Sequence, residues 1–176
     1  MRFTLSSLGI FLLIILASCS IKHNYIWNEY PIAPGRISSE VNFDSGQEIN
    51  IIKGTSNTEQ MFLGNVGAHK YFGTEQSLTD GLVDQLAMEM RKRGIKINPE
   101  SNKSIEIAVD RTVFERGMFK IAVTMDYTVK FGNGEIKTFS TRNSSPATVD
   151  KTYDGVVALA VIELIQDADI LEYLEN

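Results

Sequence analysis

Between Phe119 and Lys130 the chain alternates. Phe119, Ile121, Val123, Met125, Tyr127 and Val129 fall on one side; Lys120, Ala122, Thr124, Asp126, Thr128 and Lys130 fall on the other. A period of two over this length predicts a β-strand with one face in a core and the other in water. Such a strand belongs in an antiparallel sheet covered on one face, because parallel strands are normally buried on both. The rest of the chain must supply strands at its edges and a cover for its apolar face.

The neighbours are close in sequence. Ile105, Ile107, Val109, Arg111 and Val113 share one face of a preceding strand, with Glu106, Ala108 and Asp110 on the other, and Glu115-Arg116-Gly117 turns the chain. On the far side Gly132-Asn133-Gly134 forms a hairpin turn, since Asn and Gly tolerate positive φ. Glu135 to Thr141 returns as a third strand, ended by Asn143 to Pro146. Upstream, Ile37, Ser39, Val41 and Phe43 alternate with Ser38, Glu40 and Asn42, which predicts a further strand stopped at Asp44-Ser45-Gly46. Ile49, Ile51 and Ile52 form a short apolar piece, and Ile95-Lys96-Ile97 another. Residues 55–74 read either as a strand pair or as a long loop.

Two helices supply the cover. The first starts at Ser77 as N-cap, with Asp80 three residues on. Leu78, Leu82, Val83, Leu86 and Met90 share one face, while Thr79, Asp84, Gln85, Glu89 and Arg93 lie elsewhere. Arg91-Lys92-Arg93 and then Gly94 end it: cations favour the negative end of the helix dipole by about 0.3–1 kcal/mol each, and glycine suits the left-handed residue that follows a helix. The second runs from about Asp150 to Gln166, with Tyr153, Val156, Val157, Ala160, Val161 and Leu164 on a broad apolar face. Asp167-Ala168-Asp169 interrupts it before a last turn through Leu174. The expected fold class is α+β, a two-layer sandwich with an antiparallel sheet of about four strands and two amphipathic helices on one face.

The N-terminus has a different character. Arg2 precedes an apolar run from Leu8 to Leu16, and small residues follow, the layout of a secretory signal. The run is shorter than the roughly 20 apolar residues a spanning helix needs. Leu16-Ala17-Ser18-Cys19 resembles the lipobox of bacterial lipoproteins. That resemblance implies cleavage between Ser18 and Cys19 and acylation of Cys19, and Ser20 after the cysteine implies the outer membrane. The expected division is a lipoprotein signal over 1–18, a lipidated tether over 19–36 and one globular domain over 37–176. In the tether, Tyr25, Trp27 and Tyr30 either pack on the domain edge or sit at the membrane interface beside the lipid.

Composition excludes several functions. One of the 17 Lys/Arg, Arg2, lies in the signal, leaving 16 against 22 Asp/Glu, so a nucleic-acid-binding role is not expected. Cys19 is the single cysteine, which excludes a disulfide within the chain, a cysteine-based metal site and a catalytic thiol. His23 and His69 lack the spacing of a metal pair, and each reads as a solvated side chain. No nucleophile elbow or P-loop is present. Neither a metal, a cofactor beyond the lipid on Cys19, nor enzymatic activity is expected. The candidate partner surface is the hairpin with Arg111, Phe114, Arg116 and Phe119, because Arg and aromatic residues near a turn make good anchors. The competing reading is a strand end whose aromatics fold back over the sheet.

With the lipobox at Cys19, Ser77-Leu78-Thr79 opening the helix, the apolar spacing through Leu86, Arg93-Gly94-Ile95 leading to a strand, and Asn133-Gly134 in the meander, the chain resembles the YajG-type family of uncharacterised bacterial lipoproteins. Phe43-Asp44-Ser45 lacks the Arg with which that family's first strand usually ends. The architecture is more distantly similar to LptE-like envelope lipoproteins. The resemblance implies a non-enzymatic protein anchored in the envelope by its lipid, its domain facing the periplasm and binding an envelope protein or lipid. An alternative role is a lipid-binding accessory of a transport or outer-membrane assembly machine, which requires an apolar groove between sheet and helices.

Overall fold

A computed structural model describes residues 20–38, 41 and 47–175. Its elements in chain order are β1 (Ile21–Asn24), β2 (Glu48–Lys53), β3 (Met61–Val66), β4 (His69–Gly73), α1 (Glu75–Lys92), β5 (Lys96–Ile97), β6 (Ser104–Arg116), β7 (Ile121–Phe131), β8 (Ile136–Ser145), α2 (Val149–Gln166) and α3 (Ala168–Glu175). The strands form a five-stranded sheet in the order β5-β2-β6-β7-β8 and a three-stranded sheet in the order β1-β4-β3.

The meander β6-β7-β8 is antiparallel, as the alternation requires. On β7 the inner residues from Ile121 to Val129 are buried, while Thr124, Asp126, Thr128 and Lys130 face outward. The outer face is laced by cross-strand polar pairs rather than covered: Arg111 holds Asp126 through Nη2 at 2.9 Å, and Arg142 holds Glu115 at 2.8 Å. Both long helices, α1 and α2, pack together against the five-stranded sheet.

Two expectations need correction, and one open choice is resolved. First, the sheet has five strands and is mixed. β2 lies parallel to both β5 and β6. Parallel neighbours need a long crossover, and residues 54–103 supply one containing β3, β4 and α1. The segment from Ile37 joins no sheet where it is described: Ile37 is buried and Val41 packs on the core from irregular chain. The remainder of that expected strand lies outside the described residues.

Second, of the strand pair and the long loop that residues 55–74 left open, the structure has the strand pair. β3 and β4 pair antiparallel, with a register shift between Phe62 and Gly64.

Third, most of the expected tether belongs to the domain. Ile21–Asn24 pairs parallel with β4. Beyond it, Tyr25 is buried against Tyr153, with ring centroids 5.7 Å apart. Trp27 lies on Gly81 of α1, where a Cβ would stand 2.5 Å from the indole. A helix-interior glycine normally costs about 1 kcal/mol relative to alanine; here it makes room for the tryptophan. Gln85 donates to the Tyr30 carbonyl at 2.7 Å, and the Ser38 amide donates to Gln166 at 3.0 Å. The segment therefore lies along both helices. It explains why Gln85 and Glu89, outside the predicted apolar face, are buried.

Helix starts and stops follow local chemistry. α1 begins earlier than expected, with Thr74 as N-cap: its hydroxyl accepts from the Ser77 amide at 2.9 Å, while the Ser77 hydroxyl accepts from the Thr74 amide at 3.3 Å. The Ser77 side chain is thus the far half of the capping box. Gly94, at φ +92°, follows the helix end. Asp167 separates α2 from a third helix, its Oδ1 accepting from the amides of Asp169 and Ile170 at 3.2 Å each.

Candidate interaction surface

The four residues expected to form one surface do not stay together. β6 carries a bulge between Val109 and Arg111, so Asp110 is extra relative to β7. A bulge shifts the alternation by one residue and exchanges the faces beyond it. Arg111 and Val113 turn to the exposed face, and Phe114 turns inward to pack on the core. Phe114 rests on Gly64 of β3, where a Cβ would stand 2.6 Å from its ring. Gly64 sits at φ +146°, so this site favours glycine on conformation as well as space. Arg111 is committed to Asp126 on the outer face of the sheet. Only Arg116 and Phe119 remain as a pair, at the β6–β7 turn.

That turn is the most exposed apolar point described. Met118 is 88% and Phe119 82% exposed. The turn is closed by the Gly117 amide donating to the Lys120 carbonyl at 2.8 Å. Phe119, expected on the buried side of β7, lies in this turn, and the buried side starts at Ile121. Val66, at the end of β3, joins Arg116, Met118, Phe119 and Lys120 around a shallow recess of about 160 Å³. In the small sheet Val66 pairs with His69, and His69 pairs with Ile21. One cross-strand row therefore leads from the hairpin tip to the start of β1.

The same sheet brings the two histidines together, which their separation in sequence concealed. His23 Nε2 and His69 Nδ1 lie 2.8 Å apart, and the His23 ring stacks on both His69 and Tyr71. Parallel pairing of β1 with β4 makes them neighbours, and no local spacing carries that signal. Among the described residues no group of three or more His, Cys, Asp or Glu side chains could hold a metal ion.

A buried polar cluster fastens the N-terminal segment. Asp154 on α2 is 0% exposed. Its Oδ1 accepts from the Tyr25 hydroxyl at 3.0 Å and the Asn28 amide at 3.3 Å, and its Oδ2 accepts from Lys151 Nζ at 3.0 Å. Burial, followed by the Asp154 charge, pushes the Tyr25 phenol well above its ordinary value, so it serves as a neutral donor. Burial likewise pushes Tyr153 up to about 12; its hydroxyl donates to the Leu63 carbonyl at 3.1 Å and ties α2 to β3.

Two recesses among the described residues lie away from the sheet–helix interface. One of about 670 Å³ is bounded by the β7–β8 turn and α3, with Asn133, Glu135, Lys137, Asp169 and Tyr173 in its wall. Another of about 480 Å³ lies between residues 30–36, α2 and the end of β8, lined by Tyr30, Ile32, Arg36, Ser145, Leu159 and Ile162 among others. Between sheet and helices the side chains are packed: Leu78, Leu82, Leu86, Ile105, Ile107, Val156, Val157 and Val161 are all buried. Ser18 and Cys19, the expected cleavage and lipidation residues, lie outside the described residues. Among the described residues no helix is long and apolar enough to cross a membrane.

The architecture defines a mixed α+β protein with two sheets. Its fold is similar to that of protein XCC0632 from Xanthomonas campestris, of the DUF330 family, at a TM-score of 0.52 and 15% identity over 83% of this chain and 93% of that one. A slighter likeness links it to lipoprotein GNA1162 from Neisseria meningitidis, at a TM-score of 0.38 and 11% identity over 68% of this chain and 99% of that one. No family model and no curated protein matches the chain. The YajG-type resemblance rests on the residues quoted for it alone.

Proposed function

We propose that this chain is a bacterial lipoprotein, anchored in the cell envelope through Cys19, whose periplasm-facing domain works by binding rather than by catalysis. The observation that carries the reading is the lipobox itself, Leu16-Ala17-Ser18-Cys19, followed almost at once by a strand built into the domain. Two or more acyl chains on one residue are what stable anchoring takes, since a single chain binds a bilayer only marginally. Ser20 after the cysteine favours the outer membrane. The exposed turn of Arg116 and Phe119 is the surface this reading offers to the envelope.

The alternative, a lipid-binding accessory of a transport or assembly machine, asks for an apolar groove between sheet and helices. The packed side chains of that layer weigh against it.

The test is fractionation and crosslinking in cells. A photoreactive residue at Phe119 should capture envelope components in the native chain, and Cys19→Ala should leave the membrane fraction and lose them. Membrane attachment and capture unchanged by Cys19→Ala would refute the reading.

A further inference from the structure

Resting on that reading, we propose that the end of the domain carrying the β6–β7 turn and the start of β1 docks on the bilayer surface, with Met118 and Phe119 entering the lipid headgroup region. The argument begins with chain length. Cys19 precedes Ile21 by two residues, and consecutive Cα atoms are at most 3.8 Å apart, so the acylated residue stays within about 7 Å of the start of β1. Ile21 is hydrogen-bonded into the domain through its amide, 3.0 Å from the Ala68 carbonyl. A domain held this closely cannot stand clear of the membrane. The lipid fixes which end faces it.

That end has the surface a bilayer requires. Ile21 is 50% and Val66 39% exposed, and they are separated by two strand spacings, about 10 Å. Val66 leads on to Met118 and Phe119 across the shallow recess. Arg116 and Lys120 flank Met118 and Phe119 around that recess, and Lys22 and Lys70, paired across β1 and β4, lie one residue further in, on the other face of the small sheet from Ile21 and Val66; all four are exposed. None of these four pairs with a carboxylate among the described residues; Lys22 lies over the Phe72 ring, 5.9 Å from its centre. Over the whole chain acidic residues outnumber basic ones, 22 to 17. A local set of unpaired cations around exposed apolar side chains therefore stands out, and it suits anionic headgroups over acyl chains. The opposite end of β7 offers a contrast: its turn to β8 carries Asn133, Gly134 and Glu135.

The experiment uses the full lipidated chain in vesicles of phosphatidylethanolamine and phosphatidylglycerol. Acylation blocks the thiol of Cys19, the chain's single cysteine, so an introduced cysteine takes a thiol-directed environment-sensitive dye alone. Phe119→Cys and Asn133→Cys are labelled separately, each checked for an unchanged melting temperature. The expected result is a blue shift and strong quenching by headgroup-proximal spin-labelled lipids at position 119, at least about fivefold greater than at 133, which projects away from the bilayer. Equal, weak quenching at both positions, with the protein still floating with the vesicles, overturns docking and leaves the anchor intact. A protein that does not float and carries an unmodified Cys19 overturns the anchor reading and docking together. Protection of position 119 that appears only in whole envelopes, and never in pure lipid vesicles, assigns the turn to a protein partner and also overturns docking.

Discussion

Asp154→Ala removes the acceptor on which the N-terminal segment hangs. In the native chain one buried carboxylate satisfies the Tyr25 hydroxyl and the Asn28 amide through Oδ1, and Lys151 through Oδ2. Lys151 is half exposed and recovers its hydration, so its loss costs little. Tyr25 is buried, and its hydroxyl is left without a partner; the Asn28 amide loses the Asp154 acceptor. Each stranded donor costs about 1–3 kcal/mol, which puts the total for the two at roughly 2–6 kcal/mol. For a domain of this size each kcal/mol lowers Tm by about 2–4 °C, so a drop of roughly 4–24 °C is expected in calorimetry. The loss should also be localised. Hydrogen exchange of residues 21–30 should accelerate more than that of β7, because the segment can lift from α2 while the five-stranded sheet stays paired. Asp154→Asn keeps an acceptor oxygen for Tyr25 but sets an amide against the Lys151 ammonium, and should fall between the two. A Tm within 1–2 °C of wild type, with unchanged exchange in residues 21–30, would show that Asp154 does not fasten the segment.

Four further outcomes follow from other sites. Glu89 on α1 illustrates pH linkage: burial alone would raise its carboxyl, but hydrogen bonds from Lys92 and Arg93 outweigh burial and hold it below the usual carboxylate range. A depressed folded value contributes stability above the unfolded value of about 4.3, lost as pH falls through the folded one. Glu89→Gln should therefore cost stability at pH 7, and the gap to wild type in urea melts should close by pH 3; a gap independent of pH would refute the pairing. Gly64→Ala should cost about 2–4 kcal/mol through its clash with Phe114 and its positive φ, and Phe114→Ala in the same chain should restore part of the loss in a double-mutant cycle. Thr74→Ala should cost about 1 kcal/mol by opening the capping box of α1, measured as a lowered urea midpoint at constant slope. Met118→Ser with Phe119→Ser should leave stability within about 0.5 kcal/mol, because both side chains stand outside the core; a large loss would mean that the turn serves the fold and is not a free surface.

The elements most legible in the sequence are those whose signal is local. β7 was readable because its neighbours on both sides are hairpin-connected, so one alternating pattern specifies pairing, register and the buried face together. The faces of α1 and α2 were readable for the same reason: helical spacing states which side chains share a stripe. Even here local chemistry admitted two solutions. Ser77 has the residue type and spacing of an N-cap, yet Thr74 takes that position and Ser77 closes the box from inside the helix.

Where partners are distant, the pattern misled. Arg111 and Val113 continue the alternation of Ile105, Ile107 and Val109 without a visible break, and only pairing with β7 shows that Asp110 is an extra residue and Phe114 the inward one. His23 and His69 are 46 residues apart and carry no joint signal until β1 and β4 lie side by side. Whether Tyr25 and Trp27 pack on the domain stayed open because irregular chain has no period by which its contacts can be seen.

The sequence by itself determined the antiparallel meander and the two covering helices, each written in a run of consecutive residues. Only the tertiary structure decided that the N-terminal segment is part of the domain, through Tyr25, Trp27 and Asp154, and that Ile21, Val66, Met118 and Phe119 share one end. Parallel pairing and docking of irregular chain bring together residues from distant parts of the sequence, and the free energy that selects those contacts lies in packing and in buried hydrogen bonds that no local spacing records.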